Sequence, residues 1–186
     1  MKFGTRGLRR AFSETVSVMI LLVVAVLLAS VVSYYGANLT LTRSKGEEVR
    51  ISKERVWVNS LGAVAAFRIQ NLGGRDVLVD GIKVRGIERE WSDVYYYRVP
   101  TGTTLTGELN RTSYASLAGS FVTIDGVNYN RSSGDMPLAM SGSIIFYVKG
   151  PGNVQTDDLG TTIDLGIYTS SAQYITESSV ESATTQ

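Results

Sequence analysis

The sequence predicts an α+β protein in which a long N-terminal hydrophobic α-helix precedes an all-β sandwich. The first observation is an apolar run from Val16 to Val32 that only two serines interrupt. The second is a change of pattern after Arg43, where short apolar or alternating runs are separated by turn residues. The third is that no segment after residue 45 shows the 3.6-residue period of an amphipathic helix.

The charges of the chain are unevenly distributed although their sum is small. The 186 residues include 18 basic and 17 acidic ones, and the first ten contain four basic residues and no acid: Lys2, Arg6, Arg9 and Arg10. The rest of the chain therefore carries a net charge of −3. This balance argues against a basic nucleic-acid-binding surface, so no nucleic-acid partner is expected. A basic block before an apolar run instead orients that segment with its N-terminus on the cytoplasmic side of a membrane.

Two residue types that carry much enzyme chemistry are absent from the chain. It has no cysteine, which excludes disulfides and thiolate nucleophiles, and no histidine, the commonest general base and metal ligand. The acid pairs Glu47-Glu48 and Asp157-Asp158 lack the alternating spacing of a calcium loop and are interpreted as surface turns. We expect no catalytic role, no cofactor and no metal. A carboxylate-based secreted hydrolase is the weakest alternative.

The apolar run is long enough to cross a membrane. A helix from Phe12 to Tyr35 would be roughly 36 Å long at ~1.5 Å per residue, against a hydrocarbon layer of ~30 Å. No charge occurs between Glu14 and Arg43. A secretory signal peptide has an apolar core of only ~7–15 residues before its cleavage site, so simple removal of the whole segment is disfavoured.

The residues in front of the helix resemble a known processing signal. Arg9-Arg10-Ala11 followed by Phe12-Ser13-Glu14 places basic residues and a small residue before an apolar helix with an acid near its start. This pattern resembles the class III leader of archaeal type IV pilins and archaellins. The resemblance implies cleavage by a prepilin peptidase after Arg10-Ala11, with Phe12 as the new N-terminus.

That cleavage divides the N-terminal part into a leader peptide, residues 1–11, and an assembly or transmembrane helix, residues 12–44. Arg6-Gly7 is a second candidate cut, but it would leave two arginines on the mature helix. The resemblance also suggests Glu14 as an assembly contact with the amine of a neighbouring subunit. The alternative without any processing is an ordinary single-span anchor with a basic cytoplasmic flank.

The helix can serve in two environments. Its apolar surface can lie in lipid before assembly and against identical helices in a filament core afterwards. Tight packing of helices favours small residues, which occur among the leucines and valines at Ala25, Ala29, Ser30 and Ser33.

The remainder is predicted to be a sandwich over residues 45–176, followed by a polar, fraying tail over residues 177–186. The predicted strands alternate with Gly-, Asn-, Asp- and Pro-rich breaks. They are Val49–Ile51, Val56–Val58, Ala63–Gln70, Val77–Val84, Val94–Val99, Ser120–Ile124, Gly142–Val148 and Thr162–Tyr168.

One stretch of this region adds to the resemblance. Residues 65–86, AAFRIQNLGGRDVLVDGIKVRG, resemble the hairpin that begins the immunoglobulin-like sandwich of archaeal pilins and archaellins. Phe67 and Ile69 alternate with polar residues, which predicts one buried face. Gly73-Gly74 is expected to supply the positive φ of a tight connection.

Three sequons are candidate N-glycosylation sites, at Asn38, Asn110 and Asn130. Taken together, the resemblance implies a subunit of an archaeal type IV pilus-like filament, which polymerises with identical subunits for adhesion or motility. Its expected partners are the prepilin peptidase and the pilus assembly platform, with the cytoplasmic membrane as its location before assembly. The rival interpretation is a membrane-anchored extracellular β-sandwich that binds a surface layer or an archaellum component.

Overall fold

The computed structural model describes the backbone of residues 6–183 and the side chains of residues 14–41 and 46–183. The chain divides into two compact units between Ser44 and Lys45. The first unit is a long apolar helix, and the second is a domain rich in β-sheet.

Helix α1 spans Arg6–Lys45, which is 40 residues or about 60 Å at ~1.5 Å per residue. The sequence predicts the helix over residues 12–44, and the structure extends it toward the N-terminus because Leu8 to Ala11 are strong helix formers. Two of its hydroxyl groups turn back to the helix backbone. The Ser30 Oγ donates to the Val26 carbonyl at 2.8 Å, and the Thr40 Oγ1 donates to the Gly36 carbonyl at 2.9 Å.

Eleven strands make up the β-domain. They are β1 Val49–Asn59, β2 Gly62–Asn71, β3 Val77–Val84, β4 Ile87–Glu88, β5 Val94–Val99, β6 Phe121–Ile124, β7 Val127–Arg131, β8 Met136–Leu138, β9 Ser143–Lys149, β10 Thr162–Thr169 and β11 Gln173–Ser182. They form one continuous sheet in the order β4-β3-β10-β11-β1-β2-β9-β5-β7-β6, and β8 pairs with β3.

The inner core is shared by the two halves of this sheet. One half, around β2 and β9, contributes side chains such as Phe67 and Phe146, whose ring centroids lie 5.6 Å apart. The other half, around β3 and β10, contributes side chains such as Val79 and Leu165, which are fully buried. Both halves bury their facing side chains together, as in a sandwich.

A second core lies on the opposite face of β2, β5 and β9. Val64 and Ala66 of β2 are buried there beneath Leu109, Leu117 and Tyr129 from the segment 105–131. The one-sided burial predicted from Phe67 and Ile69 is confirmed for the second half of β2, whereas the first half is buried on both faces. Strand β9 is apolar on both faces because each face packs against one of the two cores.

Residues 177–182 of the predicted fraying tail belong to a strand in the structure. β11 pairs antiparallel with β10 from Gln173 to Ser179 and then parallel with β1, where Val180 lies opposite Val56. The Val180 side chain is buried in the inner core. This strand is mostly polar because one of its faces is exposed. Its backbone hydrogen bonds to β10 and β1 join the two halves of the sheet. The β-domain thus continues beyond residue 176.

Strand β1 also differs from the prediction. The structure merges the two expected strands, Val49–Ile51 and Val56–Val58, into one strand with a register shift between Ser52 and Arg55. Lys53 within this bulge has a left-handed φ of 59°. A bulge re-aims a side chain locally, and here it is Lys53 that changes direction.

Candidate functional site

The surface of α1 is the largest apolar feature among the described residues. Its segment Glu14–Leu41 is 28 residues long and apolar enough to cross a membrane. Every side chain in this segment is exposed, with the large apolar ones between 45% exposed at Val16 and 69% at Val32. An all-round apolar helix needs apolar surroundings, which this single chain does not provide for it.

Small residues form a continuous ridge along this helix. Ala25, Ala29, Ser33 and Ala37 follow one another at intervals of four residues, so their side chains share one face. A ridge of small side chains lets another helix backbone approach closely. The sequence already showed three of these four residues, and the helical geometry adds Ala37.

The candidate processing residues lie inside the helical backbone. Arg10, Ala11 and Phe12 all fall within Arg6–Lys45, although their side chains lie outside the described residues. Glu14 is the first residue of the apolar segment and is exposed. The helix therefore runs through the predicted cleavage point.

The three sequons occupy three different backbone environments. Asn38 lies within α1, Asn110 in an irregular segment, and Asn130 in β7. All three asparagines are exposed, but the hydroxyl residues completing the second and third sequons, Thr112 and Ser132, are only 9% and 6% exposed. The hydroxyl residues of these two motifs are therefore largely inaccessible in the folded domain.

The first residues of the β-domain are fixed by the loop after β2. The Leu72 and Gly73 amides donate to the Glu48 carbonyl at 2.8 and 3.1 Å, and the Gly74 amide donates to the Gly46 carbonyl at 3.4 Å. A Cβ on Gly73 would lie 2.6 Å from the Gly46 oxygen. The expected positive φ at Gly73-Gly74 is wrong, since neither residue has one. The glycine at 73 is required by close backbone approach instead.

A buried asparagine shapes the same loop. The Asn71 side chain is fully buried, and its Nδ2 donates to the carbonyls of Arg75 at 2.7 Å and Leu138 at 3.2 Å. Its Oδ1 accepts from the Gly73 amide at 2.9 Å. These hydrogen bonds hold the backbone of the loop in place, which explains why an asparagine begins the NLGG stretch.

Glu47 joins this loop to the β10–β11 turn. Its carboxylate accepts from the Arg75 Nη2 at 3.1 Å, from the Thr169 hydroxyl, and from the Tyr174 hydroxyl at 3.4 Å. Burial acts to raise the pKa of Glu47, but the hydrogen bonds from Thr169, Arg75 and Ser171 outweigh it and lower the pKa. The charged form of Glu47 therefore holds three segments together.

Aromatic side chains make up much of the second core. The Tyr129 and Tyr147 rings meet edge to face at 5.0 Å, Tyr97 contacts Tyr129 at 5.7 Å, and Trp57 stacks on Tyr147 at 6.5 Å. Burial raises the pKa of Tyr129 to about 12 and also raises the pKa of Tyr147. Tyr95, the first of three consecutive tyrosines in β5, is buried in this core.

No protein-family model matches this chain, and no curated protein matches it either.

Proposed function

We propose that this chain is the structural subunit of an archaeal type IV pilus-like surface filament that polymerises through α1. The observation that carries the proposal is the contrast between a 28-residue apolar helix with fully exposed side chains and a β-domain that buries its own core. The helix supplies the assembly surface, and the domain faces the outside of the filament.

The free energy of burying apolar side chains favours placing α1 in apolar surroundings. Burying one large aliphatic side chain is worth about 1.5–3 kcal/mol, and α1 presents many of them to whatever surrounds it. Lipid meets this need before assembly, and identical helices meet it afterwards. The small ridge of Ala25, Ala29, Ser33 and Ala37 allows the close packing that a helix bundle requires.

The β-domain is proposed to be an immunoglobulin-like sandwich. Two sheet halves that enclose one inner core support this assignment, as does the Asn71-centred loop between β2 and β3. Adhesion or motility and glycosylation at Asn38, Asn110 or Asn130 belong to the same proposal. Its partners are identical subunits, the prepilin peptidase and the assembly platform, and its location is the cytoplasmic membrane before assembly and the cell surface afterwards.

The second candidate is a monomeric, membrane-anchored binding protein. The same helix can span a membrane alone, with the basic residues before it on the cytoplasmic side. The two functions differ in one respect that can be measured, because only a pilin loses its leader and leaves the membrane.

Intact-mass spectrometry of sheared surface material tests the proposal. We expect filaments that contain this chain with Phe12 as its first residue. A chain that retains residues 1–11 and remains in the membrane fraction would show the anchored binding protein instead. A mass that lacks everything up to about Asn38 would restore the ordinary signal peptide and contradict both.

A further inference from the structure

Arg68 of β2 carries a positive charge that the described part of the chain leaves without a counter-charge. Its Nη2 donates to the Ser143 Oγ at 2.9 Å and to the Gln70 Oε1 at 3.4 Å. Its Nε is buried and has no hydrogen-bond partner. No carboxylate of the described residues lies within ion-pair distance of this guanidinium.

Two other arginines show why this is unusual. The Nε atoms of Arg55 and Arg89 are also buried without a partner. Each of these side chains nevertheless forms an ion pair, Arg55 with Glu181 at 3.2 Å and Arg89 with Asp93 at 2.8 Å. A half-buried charge without an opposite charge is unfavourable. Of the three arginines, Arg68 is therefore the one whose charge an external anion would neutralise.

The surroundings of Arg68 suit an anion. Arg68 lines a recess of about 320 Å³ between the ends of β2 and β9 and the segment 100–105. No aspartate or glutamate lines it, whereas several hydroxyl groups do. The hydroxyl-bearing residues of the lining are Thr101, Thr103, Thr104, Ser141 and Ser143.

The outer wall of this recess is held in place by the bulge in β1. The Lys53 ammonium donates to the Leu105 carbonyl at 2.9 Å and to the Gly107 carbonyl. These bonds pin the segment after β5 over the sheet. The recess is therefore formed in the folded chain, and a ligand does not have to order its wall.

We propose that this recess binds an oxyanion, namely a carboxylate, sulfate or phosphate group, with the Arg68 guanidinium as its main ligand. The N–H groups of the guanidinium that Ser143 and Gln70 leave free can donate charge-assisted hydrogen bonds to the oxygens of an anion. Threonine and serine hydroxyls of the lining add neutral donors for the same anion. All residues that line this site belong to the β-domain.

The test uses the full chain in detergent micelles, with ¹⁵N-labelled arginine side chains observed by NMR. Sodium sulfate, phosphate and glucuronate are titrated at constant ionic strength against chloride, with glucose as the neutral comparison. We expect a saturable shift of the Arg68 Nε–H resonance with an oxyanion and none with glucose. Binding of glucuronate assigns an acidic saccharide as a ligand class, and binding of sulfate or phosphate alone assigns a free inorganic anion.

Variants separate a defined site from general attraction to positive charge. Arg68→Met should abolish saturable binding. Arg68→Lys keeps the positive charge but loses the planar guanidinium, so it should weaken binding about tenfold or more. Arg50→Gln is the matched control, because Arg50 is exposed and lies opposite Gln70 in the neighbouring strand.

Removing an uncompensated charge does not threaten the fold, so Arg68→Met should remain folded by near-ultraviolet circular dichroism. Two results would overturn the proposal: no saturable shift with any of the three anions, or equal weakening by Arg50→Gln and Arg68→Met.

Discussion

Helix α1 and the β-domain place the same kinds of side chain in opposite positions. Leu21 and Val32 of the helix are 68% and 69% exposed, whereas Phe67 and Leu165 of the β-domain are fully buried. The domain satisfies its apolar groups within one chain, and the helix depends on something outside the chain. A substitution in one region should therefore change assembly, and a substitution in the other should change folding.

The largest expected effect is the loss of filaments from a charge in the middle of the helix. Ala25→Asp costs about 2.5–3.5 kcal/mol on membrane-insertion scales, which a run this apolar tolerates. In a packed bundle the unpaired carboxylate recurs in every subunit, and each copy costs several kcal/mol. We expect the variant in the membrane fraction and no filaments by electron microscopy.

The control for this variant is Ala115→Asp, which makes the same change at an exposed position of the β-domain. It should leave filaments intact. Abundant normal filaments from Ala25→Asp would show that the helix is not in the filament core.

The next effect concerns the β-domain alone. Phe67→Ala removes a fully buried ring that contacts Phe146, and such truncations cost about 3–5 kcal/mol in the free energy of unfolding. Denaturant unfolding followed by tryptophan fluorescence measures it. Phe121→Ala, at a ring that is 57% exposed, should change stability by less than about 0.5 kcal/mol. Similar losses from both variants would contradict the assigned core.

A smaller effect is expected at the start of the β-domain and depends on pH. The pKa of Glu47 is lowered in the fold, so its contribution is fully present above the unfolded value of 4.5 and is lost as the pH falls through the folded pKa. Glu47→Gln should destabilise the domain at pH 7 by about 1–3 kcal/mol and flatten this acid dependence. Glu48→Gln, at the exposed neighbour, should do neither, and thermal melts from pH 7 to pH 3 compare the two.

The smallest effect at neutral pH is expected in the second core. The pKa of Tyr129 is raised to about 12, so the stabilising neutral form is retained below pH 10 and its contribution is lost as the pH rises toward 12. Tyr129→Phe should change little at pH 7 but should weaken the alkaline loss of stability. Thermal melts between pH 8 and pH 12 measure this, and an unchanged alkaline profile would contradict the buried phenol.

The sequence was sufficient for the division of the chain and for several strands. β3 and β5 have the predicted bounds, Val77–Val84 and Val94–Val99, because turn residues flank strongly apolar runs there. β11 was missed because its side chains are mostly polar and exposed. Its place in the sheet depends on backbone pairing with β10 and β1, which no local pattern reports.

The second core and the anion recess were also beyond the sequence pattern. Leu109 and Leu117 lie in irregular chain, so no period marks them as buried. Arg68 looked like an ordinary polar residue on the exposed face of a strand. Only the register of β2 against β9 brings it beside Ser143, and only the pinned segment after β5 encloses it.

The central position of β11 has a consequence for the order of events during synthesis. α1 leaves the ribosome first, whereas the sheet stays open between β10 and β1 until residues 173–182 have been made. At about 5–20 residues per second this interval lasts several seconds or more. Once β10 has been made, two unpaired strand edges are available to other chains until β11 follows. Closure of the domain therefore waits for β11.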